Sequence, residues 1–361
     1  MIGIMKIGIV GTRGIPAQYG GFEVLAENLA KNFSRDNHEV FVTGFSTNEN
    51  KIEFENNGLI SRVSVTTNCN PRLQNFIGTR KACRVLNKQV KLDAVIVLNE
   101  VNFFEARSYR KFGVLTVLHL DGAEARRSGL PIIGKWAHSL FRKLAIESQI
   151  PLIVDSVAIA NDPNLRTRKT NVIAYAPHFD EAIKPEFDMI DLQPKSFFVA
   201  IARFVSENQI LELIEGYIAS SLDLKLLIIG LGTGSSKYED QVLSAAQKNM
   251  NIHILPKNYN RSEINWLLQN SKGYIHGHSV GGTNPILVDA RLHAQLILSH
   301  DNSYNRENSG YKEHFWSNND QLSELLKSND SLKVSGNASN YQLDSWETIA
   351  LKYLDLLTKR D

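Results

Sequence analysis

Lys6-Ile7-Gly8-Ile9-Val10-Gly11-Thr12-Arg13-Gly14-Ile15-Pro16-Ala17-Gln18-Tyr19-Gly20-Gly21-Phe22-Glu23 is the run from which the rest of the chain is read. Its start is a short apolar run closed by Gly11, which predicts a strand over Lys6–Val10, buried on both faces. Its end opens a stripe of Phe22, Leu25, Ala26, Leu29, Ala30 and Phe33, which predicts an amphipathic helix over Phe22–Phe33. Between them lies a loop of about ten residues, longer than the usual two to six. In an open α/β sheet, ligands bind outside the carboxyl ends of the strands. Gly20-Gly21 allows close backbone approach at that place, and a helix N-terminus presents free N–H groups to an anion. Gly8, Gly11 and Gly14 do not match G-x-G-x-x-G, so a dinucleotide fingerprint is poor here. A structural turn with a long loop is the competing reading.

Outward from this run, strands and helices alternate. Strands are predicted at Glu39–Gly44, Leu59–Val65, Ala94–Leu98, Val114–Leu118, Pro151–Val154 and Asn171–Ala174, with helices at Gln74–Asn87 and Lys135–Gln149. Pro177, Pro185 and Pro194 then punctuate a polar stretch, read as a linker over 181–194. A second alternating half follows. Its strands are Phe197–Ile201, Lys225–Ile229, Ile252–Leu255, Gly273–His276 and, as the last, Leu296–Ser299. Its helices are Asn208–Ala219, Lys237–Asn249, Arg261–Asn270 and Asn284–His293. The tail Ser345–Leu357 has Trp346, Ile349, Ala350, Tyr353 and Leu356 at helical spacing. The fold class expected is α/β, with two Rossmann-like domains facing a central cleft.

Bulk composition agrees. A chain of 361 residues suits two domains, and 43% hydrophobic with 22% charged residues is ordinary for a globular protein. A net charge of +2 does not support nucleic-acid binding by electrostatics alone. Cys69 and Cys83 form no CxxC or zinc-like cluster, which fits a reducing cytoplasm. The apolar start lacks a basic leader, and no apolar run reaches about 18 residues, so any membrane contact is expected from the surface.

Three further segments carry chemistry. In His276-Gly277-His278-Ser279-Val280-Gly281-Gly282-Thr283-Asn284-Pro285, two glycines precede a helix start marked by Pro285. Backbone amides of Gly282, Thr283 and Asn284 suit a diphosphate, aided by the helix dipole. Asp289 lies just over one turn further on, placed to accept ribose hydroxyls; a plain N-cap and a solvated Asp289 are the alternative. His278 suits a hydrogen bond to a donor oxygen, or strand-end packing; no metal site is expected, since further ligands are lacking. Arg203, in Ala202-Arg203-Phe204-Val205-Ser206-Glu207-Asn208, leaves another strand and suits a phosphate, or an ion pair with Glu207. In His119-Leu120-Asp121-Gly122-Ala123-Glu124-Ala125-Arg126-Arg127, Asp121 and Glu124 suit an acceptor hydroxyl, or a helix cap and a solvated side chain. From Arg126 to Lys143 there is no acidic residue, and basic residues interleave with Trp136, Leu140 and Phe141. That combination suits peripheral docking through 126–143 on an anionic membrane, or an ordinary half-buried helix.

These segments together resemble the family-4 glycosyltransferases, and within them a bacterial rhamnosyltransferase-like group that opens with GTRGIPAQYGGFE. The likeness rests on Gly11–Glu23, Asp121–Glu124, Ala202–Asn208, His276–Pro285, Asn305-Arg306-Glu307 and Ser345-Trp346-Glu347. It implies a GT-B fold, retention of anomeric configuration, no metal and no cofactor beyond the donor. It also implies an acceptor-binding domain over 1–180, completed by a C-terminal helix (344–361) that crosses back onto it, and a nucleotide-sugar-binding domain over 195–343. The donor residues it implies are Gly20, Gly21, Arg203, Asn208, Gly281, Gly282, Thr283, Asn284 and Asp289. Catalysis falls to Asp121, Glu124 and His278, and acceptor binding to Tyr19, Glu23 and Arg126. The chain departs from the expected pattern at four positions. Gly281 and Asp289 stand where two glutamates are usual, Asn208 stands where a lysine is, and Ala125 replaces the group's tryptophan.

The function expected is transfer of a hexose, foremost L-rhamnose from dTDP-L-rhamnose, onto a lipid-linked glycan in surface polysaccharide or O-antigen synthesis. The place expected is the cytoplasm, at the inner face of the membrane. The rivals are a sugar-nucleotide 2-epimerase on the same fold, a non-catalytic sugar-nucleotide-binding subunit and an NAD-dependent oxidoreductase.

Overall fold

A computed structural model describes residues 3–18, 20–46, 50–55, 58–67, 71–122, 132–166, 168–187, 190–231, 237–307, 309–310, 312–332 and 343–359. The chain divides into two compact units, Met1–Tyr175 with Asp344–Asp361, and Ala176–Leu343.

The first unit contains β1 (Lys6–Val10), α1 (Gly21–Arg35), β2 (Glu39–Ser46), β3 (Lys51–Glu55), β4 (Ile60–Thr66), α2 (Pro71–Gln89), β5 (Ala94–Leu98), α3 (Phe103–Lys111), β6 (Leu115–His119), α4 (Ile132–Glu147), β7 (Leu152–Val154), α5 (Val157–Ala160) and β8 (Thr170–Val172). Its sheet runs β3-β4-β2-β1-β5-β6-β7-β8. Every described pairing is parallel except β3 with β4. Ala94–Leu98 is buried at every position, as an apolar parallel strand covered on both faces must be. β3 stands at the edge of the sheet, and its sequence, Lys51-Ile52-Glu53-Phe54-Glu55, alternates polar and apolar residues.

The second unit contains β9 (Phe197–Arg203), α6 (Ile210–Ser220), β10 (Lys225–Leu231), α7 (Lys237–Ala246), β11 (Ile252–Leu255), α8 (Arg261–Asn270), β12 (Gly273–His276), α9 (Pro285–His293), β13 (Ile297–His300), α10 (Ser303–Arg306), β14 (Glu313–Trp316) and α11 (Asn319–Lys327). Its parallel sheet runs β11-β10-β9-β12-β13-β14, with one apolar core on each face. Strand order reverses between β1 and β5 in the first unit and between β9 and β12 in the second. Those are the two positions where an open α/β sheet leaves a crevice for a ligand.

Two expectations need correction, and one helix of the first unit is new. Leu296–Ser299 is not the last strand: β14 follows it, held by Trp316, fully buried, and by Glu313, whose carboxylate meets the buried Arg291 at 3.0 Å. The stretch 181–194 is not a free linker. Ile183 N–H donates to the Ser262 carbonyl and Asn265 Nδ2 to the Asp180 carbonyl, so the division falls after Tyr175 instead. Helix α3 was not foreseen, because its sequence, Phe-Phe-Glu-Ala-Arg-Ser-Tyr-Arg-Lys, is short and weakly periodic.

The final helix, α12 (Trp346–Thr358), belongs to the first unit and packs on α1 and β6. Ser345 caps it by accepting from Thr348 N–H at 3.1 Å, and Trp346, Ile349, Ala350, Tyr353, Leu354 and Leu357 form its buried stripe.

Candidate functional site

In the second unit, the neighbours β9 and β12 end in the Arg203–Asn208 and His276–Pro285 loops. The two loops are bound to each other. Ser279 donates to the Glu207 carbonyl through both its N–H (2.8 Å) and its hydroxyl (2.9 Å). Gly277 makes the approach possible, since a Cβ there would fall 2.2 Å from the Asn208 carbonyl oxygen. Asn208 is buried, and its Nδ2 donates to the Arg203 carbonyl at 2.8 Å. Its Oδ1 lies 2.8 Å from His278 Nδ1, so that nitrogen is the donor. Asn208, expected at the donor phosphates, therefore acts as the brace of His278. The carbonyl of His278 is held in turn by Nδ2 of Asn302 and of Asn305, each at 2.9 Å. His276 behind it is buried, bonded through Nδ1 to the Tyr274 hydroxyl at 2.9 Å, and burial pushes its pKa well down, so it stays neutral.

Asn284 caps α9, its Oδ1 accepting from Ile286 N–H at 2.9 Å, with Pro285 in the first turn. Gly282, Thr283 and Asn284 are half-buried at this helix start, and so is Arg203 on the neighbouring loop. Gly281 is buried with φ +139°, a conformation that L side chains rarely adopt.

Asp289 is not placed to hold a ribose. It is fully buried. Its Oδ1 accepts from His178 N–H at 2.8 Å and lies 3.0 Å from His178 Nδ1, and its Oδ2 lies 3.3 Å from Arg261. A buried carboxylate needs such compensation, and the proline-bearing segment after Tyr175 supplies it. The His178 carbonyl accepts from His293 Nε2 at 2.7 Å. Neither His178 nor Arg261 was singled out by sequence. His178 lies in a segment without periodicity, and Arg261 reads only as the first residue of a helix.

In the first unit, β1, β5 and β6 are adjacent, and their exits carry the Gly11 loop, the turn after Leu98, and Asp121. Gly11 (φ +96°) lies on Leu98, where a Cβ would come 2.3 Å from the carbonyl oxygen. Glu23 is buried rather than open to an acceptor. Its Oε1 accepts from Arg13 N–H at 2.9 Å, which ties helix α1 to the glycine loop, and burial raises its pKa. Gly20 precedes α1, and Gly21 begins it against the Tyr175 hydroxyl. Asp121 is half-buried, its Oδ2 accepting from Asn99 Nδ2 at 3.0 Å and its Oδ1 from Gly122 N–H at 2.7 Å. The buried Glu100 accepts from Asp121 N–H at 2.8 Å. Arg142 donates to the Asp121 and Gly122 carbonyls at 3.2 Å. Arg142 is thus turned inward, away from the basic face to which the sequence assigned it. Tyr19, Glu124 and Arg126 lie outside the described residues.

The surface of α2, α3 and α4 is aromatic. Phe141 stacks on Phe76 (5.9 Å) and meets Phe104 edge-on (5.7 Å), and Trp136 is 64% exposed. Ile77, Phe104 and Leu140 are also exposed, as are Arg80, Arg84 and Lys143. Among the described residues, no helix is long and apolar enough to cross a membrane.

Residues 4–177, just under half of the chain, match the family described as a domain of unknown function, DUF1972. No curated protein matches the chain. Solved structures do. A sucrose-phosphate synthase from Thermosynechococcus elongatus is 11% identical, with 98% of each chain covered and a TM-score of 0.76. An E. coli structure described as trehalose-6-phosphate bound with UDP-2-fluoro glucose is 12% identical, covers 98% of this chain and 99% of its own, and has a TM-score of 0.69. An α,α-trehalose-phosphate synthase (UDP-forming) from Burkholderia xenovorans in complex with glucose-6-phosphate is 11% identical, with 99% and 100% covered and a TM-score of 0.69. At these identities the likeness is one of architecture, and the architecture is GT-B: an α/β chain with two mainly parallel sheets.

Proposed function

We propose that the chain is a retaining glycosyltransferase that uses a nucleoside-diphosphate sugar. The observation that carries this reading is the pair of loops bound together at the β9/β12 strand-order reversal, where Arg203 and the start of α9 lie on adjacent strand exits. Such a place offers a diphosphate a guanidinium, backbone N–H groups and a helix dipole at once. The E. coli neighbour binds a UDP-sugar analogue and the Burkholderia neighbour a sugar phosphate, which supports the same class.

In the proposed reaction, the bond between the sugar C1 and the diphosphate oxygen breaks. The acceptor oxygen bonds to C1 on the same face, and its proton passes to a phosphate oxygen. Arg203 and the backbone of Gly282, Thr283 and Asn284 stabilise the charge that develops on the diphosphate. Asp121, oriented by Asn99 and by the Glu100–Arg142 clasp, receives the acceptor hydroxyl, with Glu124 beside it in sequence.

The donor sugar proposed is L-rhamnose carried by dTDP, and the acceptor a lipid-linked glycan. The aromatic surface of α2, α3 and α4, bordered by arginines and Lys143, supports docking on an anionic leaflet, where such an acceptor resides. The 2-epimerase alternative needs paired carboxylates at the donor; position 281 is glycine and Asp289 is enclosed. The test is incubation of the full chain with a panel of nucleotide sugars, with and without lipid-linked acceptor. The reading expects release of nucleoside diphosphate and an α- or β-linked product that keeps the donor's configuration. A panel in which nothing binds or turns over refutes it.

A further inference from the structure

Helices α3 and α4 touch through Phe104 and Phe141, and a cavity of about 510 Å³ opens between them. Its base is apolar: Phe103 and Ile150 are buried and Leu144 is half-buried. Its α3 wall is cationic, with Arg107, Arg110 and Lys111. The polar groups of the α4 wall are already used. Glu147 pairs with Lys143 at 3.8 Å, and the Ser148 hydroxyl donates to the Ala145 carbonyl at 2.7 Å and accepts from Ile150 N–H at 3.3 Å. The acid of α3, Glu105, is engaged by Arg80 of α2 at 3.8 Å. Among the described residues, neither Arg107 nor Lys111 forms an ion pair. They stand one helical turn apart, so each repels the other, and an anion between them relieves that repulsion.

The same two helices carry the aromatic surface. Phe104, Arg107 and Lys111 recur at i, i+3 and i+7 on α3, and all are exposed. Trp136, Leu140 and Lys143, also exposed, recur at i, i+4 and i+7 on α4. Each helix therefore passes from apolar to cationic along one outward face, as a leaflet passes from acyl chain to phosphate. A free phosphate would have no use for the apolar base of the cavity, whereas an amphiphile fits both parts.

We infer that this cavity seats the head group of an anionic phospholipid. Arg107 and Lys111 hold the phosphate oxygens, and Phe103, Leu144 and Ile150 meet the glycerol end of the lipid. This rests on the reading of the α2, α3 and α4 surface as membrane-facing. It divides the work of that surface: exposed aromatic and aliphatic side chains supply depth, and the cavity supplies a choice of lipid.

Sedimentation of the full chain with phosphatidylcholine vesicles containing phosphatidylglycerol tests this, at constant ionic strength, with and without glycerophosphoglycerol, the deacylated head group. Arg107→Gln with Lys111→Gln should weaken binding about thirtyfold, from about fivefold per cation. Arg80→Gln with Arg84→Gln, which removes the same charge from the border of the surface, should weaken it less. Glycerophosphoglycerol should displace the wild type and the border variant, and should leave the residual binding of the cavity variant unchanged. Equal weakening by the two pairs, or wild-type binding that the deacylated head group does not affect, overturns the seat and leaves the membrane reading in place. A wild type that binds glycerophosphoglycerol but not the vesicles makes the occupant a soluble phosphate ester and overturns the lipid. A wild type that binds neither overturns this inference and the membrane reading together, while transfer from a nucleotide sugar is judged by its own assay.

Discussion

The hydroxyl of Tyr353, on α12, lies 2.8 Å from Nδ1 of His119 at the end of β6, 234 positions earlier in the chain. His119 is fully buried, Phe22 of α1 packs edge-on against its ring at 5.3 Å, and burial lowers its pKa to about 4. This one contact joins the sheet, the first helix and the last helix. Tyr353→Phe keeps the ring and removes the partner of a buried imidazole nitrogen. It is expected to lower stability by about 1–2 kcal/mol in urea unfolding, with the m-value unchanged.

The same histidine gives the fold an acid limit. Its folded pKa lies below the ordinary value of 6.5, so the unfolded chain takes up the proton first as pH falls. Its contribution is fully present above about pH 6.5 and is lost between there and about pH 4, amounting to about 3 kcal/mol. His119→Gln should flatten that part of the stability–pH curve. A curve of unchanged slope in the variant would assign the acid sensitivity elsewhere.

Asp289 is expected to matter for stability and not for recognition of the nucleoside. Replacing it with alanine strands His178 and Arg261 against each other and should destabilise the chain by about 3 kcal/mol. The milder Asp289→Asn should leave the ratio of affinities for ribo- and 2′-deoxyribonucleoside diphosphates as it is in the wild type. A ratio that collapses toward one would mean that the carboxylate does reach the ribose.

Gly277→Ala should separate the two loops of the second unit. The new methyl group would meet the Asn208 carbonyl at 2.2 Å, a backbone atom that cannot swing aside. The cost is expected at roughly 1–3 kcal/mol of stability. Titration should show weaker binding of diphosphate and sugar conjugate alike, because the whole Arg203–Asn208 loop moves.

Trp136→Ser with Leu140→Ser removes exposed apolar area without touching a core. Sedimentation with vesicles containing phosphatidylglycerol should fall by about tenfold or more, since each side chain contributes about 1.5–3 kcal/mol when buried. Added salt should weaken the wild type's binding as the basic border is screened. Equal sedimentation of variant and wild type would remove this surface from the membrane reading.

Much of the architecture was legible because parallel strands announce themselves as short apolar runs. Ala94–Leu98, Ile252–Leu255 and Gly273–His276 were read to the residue. Elements with mixed faces were lost. β14 is Glu-His-Phe-Trp, whose burial depends on Arg291 from another helix, and no local pattern records that partner. The loops at both strand-order reversals were found from their places at the exits of predicted strands, with paired glycines in two of them and Arg203 in the third. What individual side chains do within them was not, because Asn208, Glu23 and Asp289 are all polar residues turned inward. Their partners, His278, the Arg13 N–H and His178, become visible only once distant segments are brought together.

Because the first unit is built from residues on both sides of the second, its completion is late in time as well as in sequence. A ribosome must translate 176–343 before α12 exists, and until then α1 and β6 expose the apolar surface that Trp346, Ile349 and Leu357 will cover. The nascent first unit is therefore the aggregation-prone species of biosynthesis. Supplying 344–361 early, by a circular permutation that joins Asp361 to Met1 and opens the chain before Asp344, would shorten that exposure.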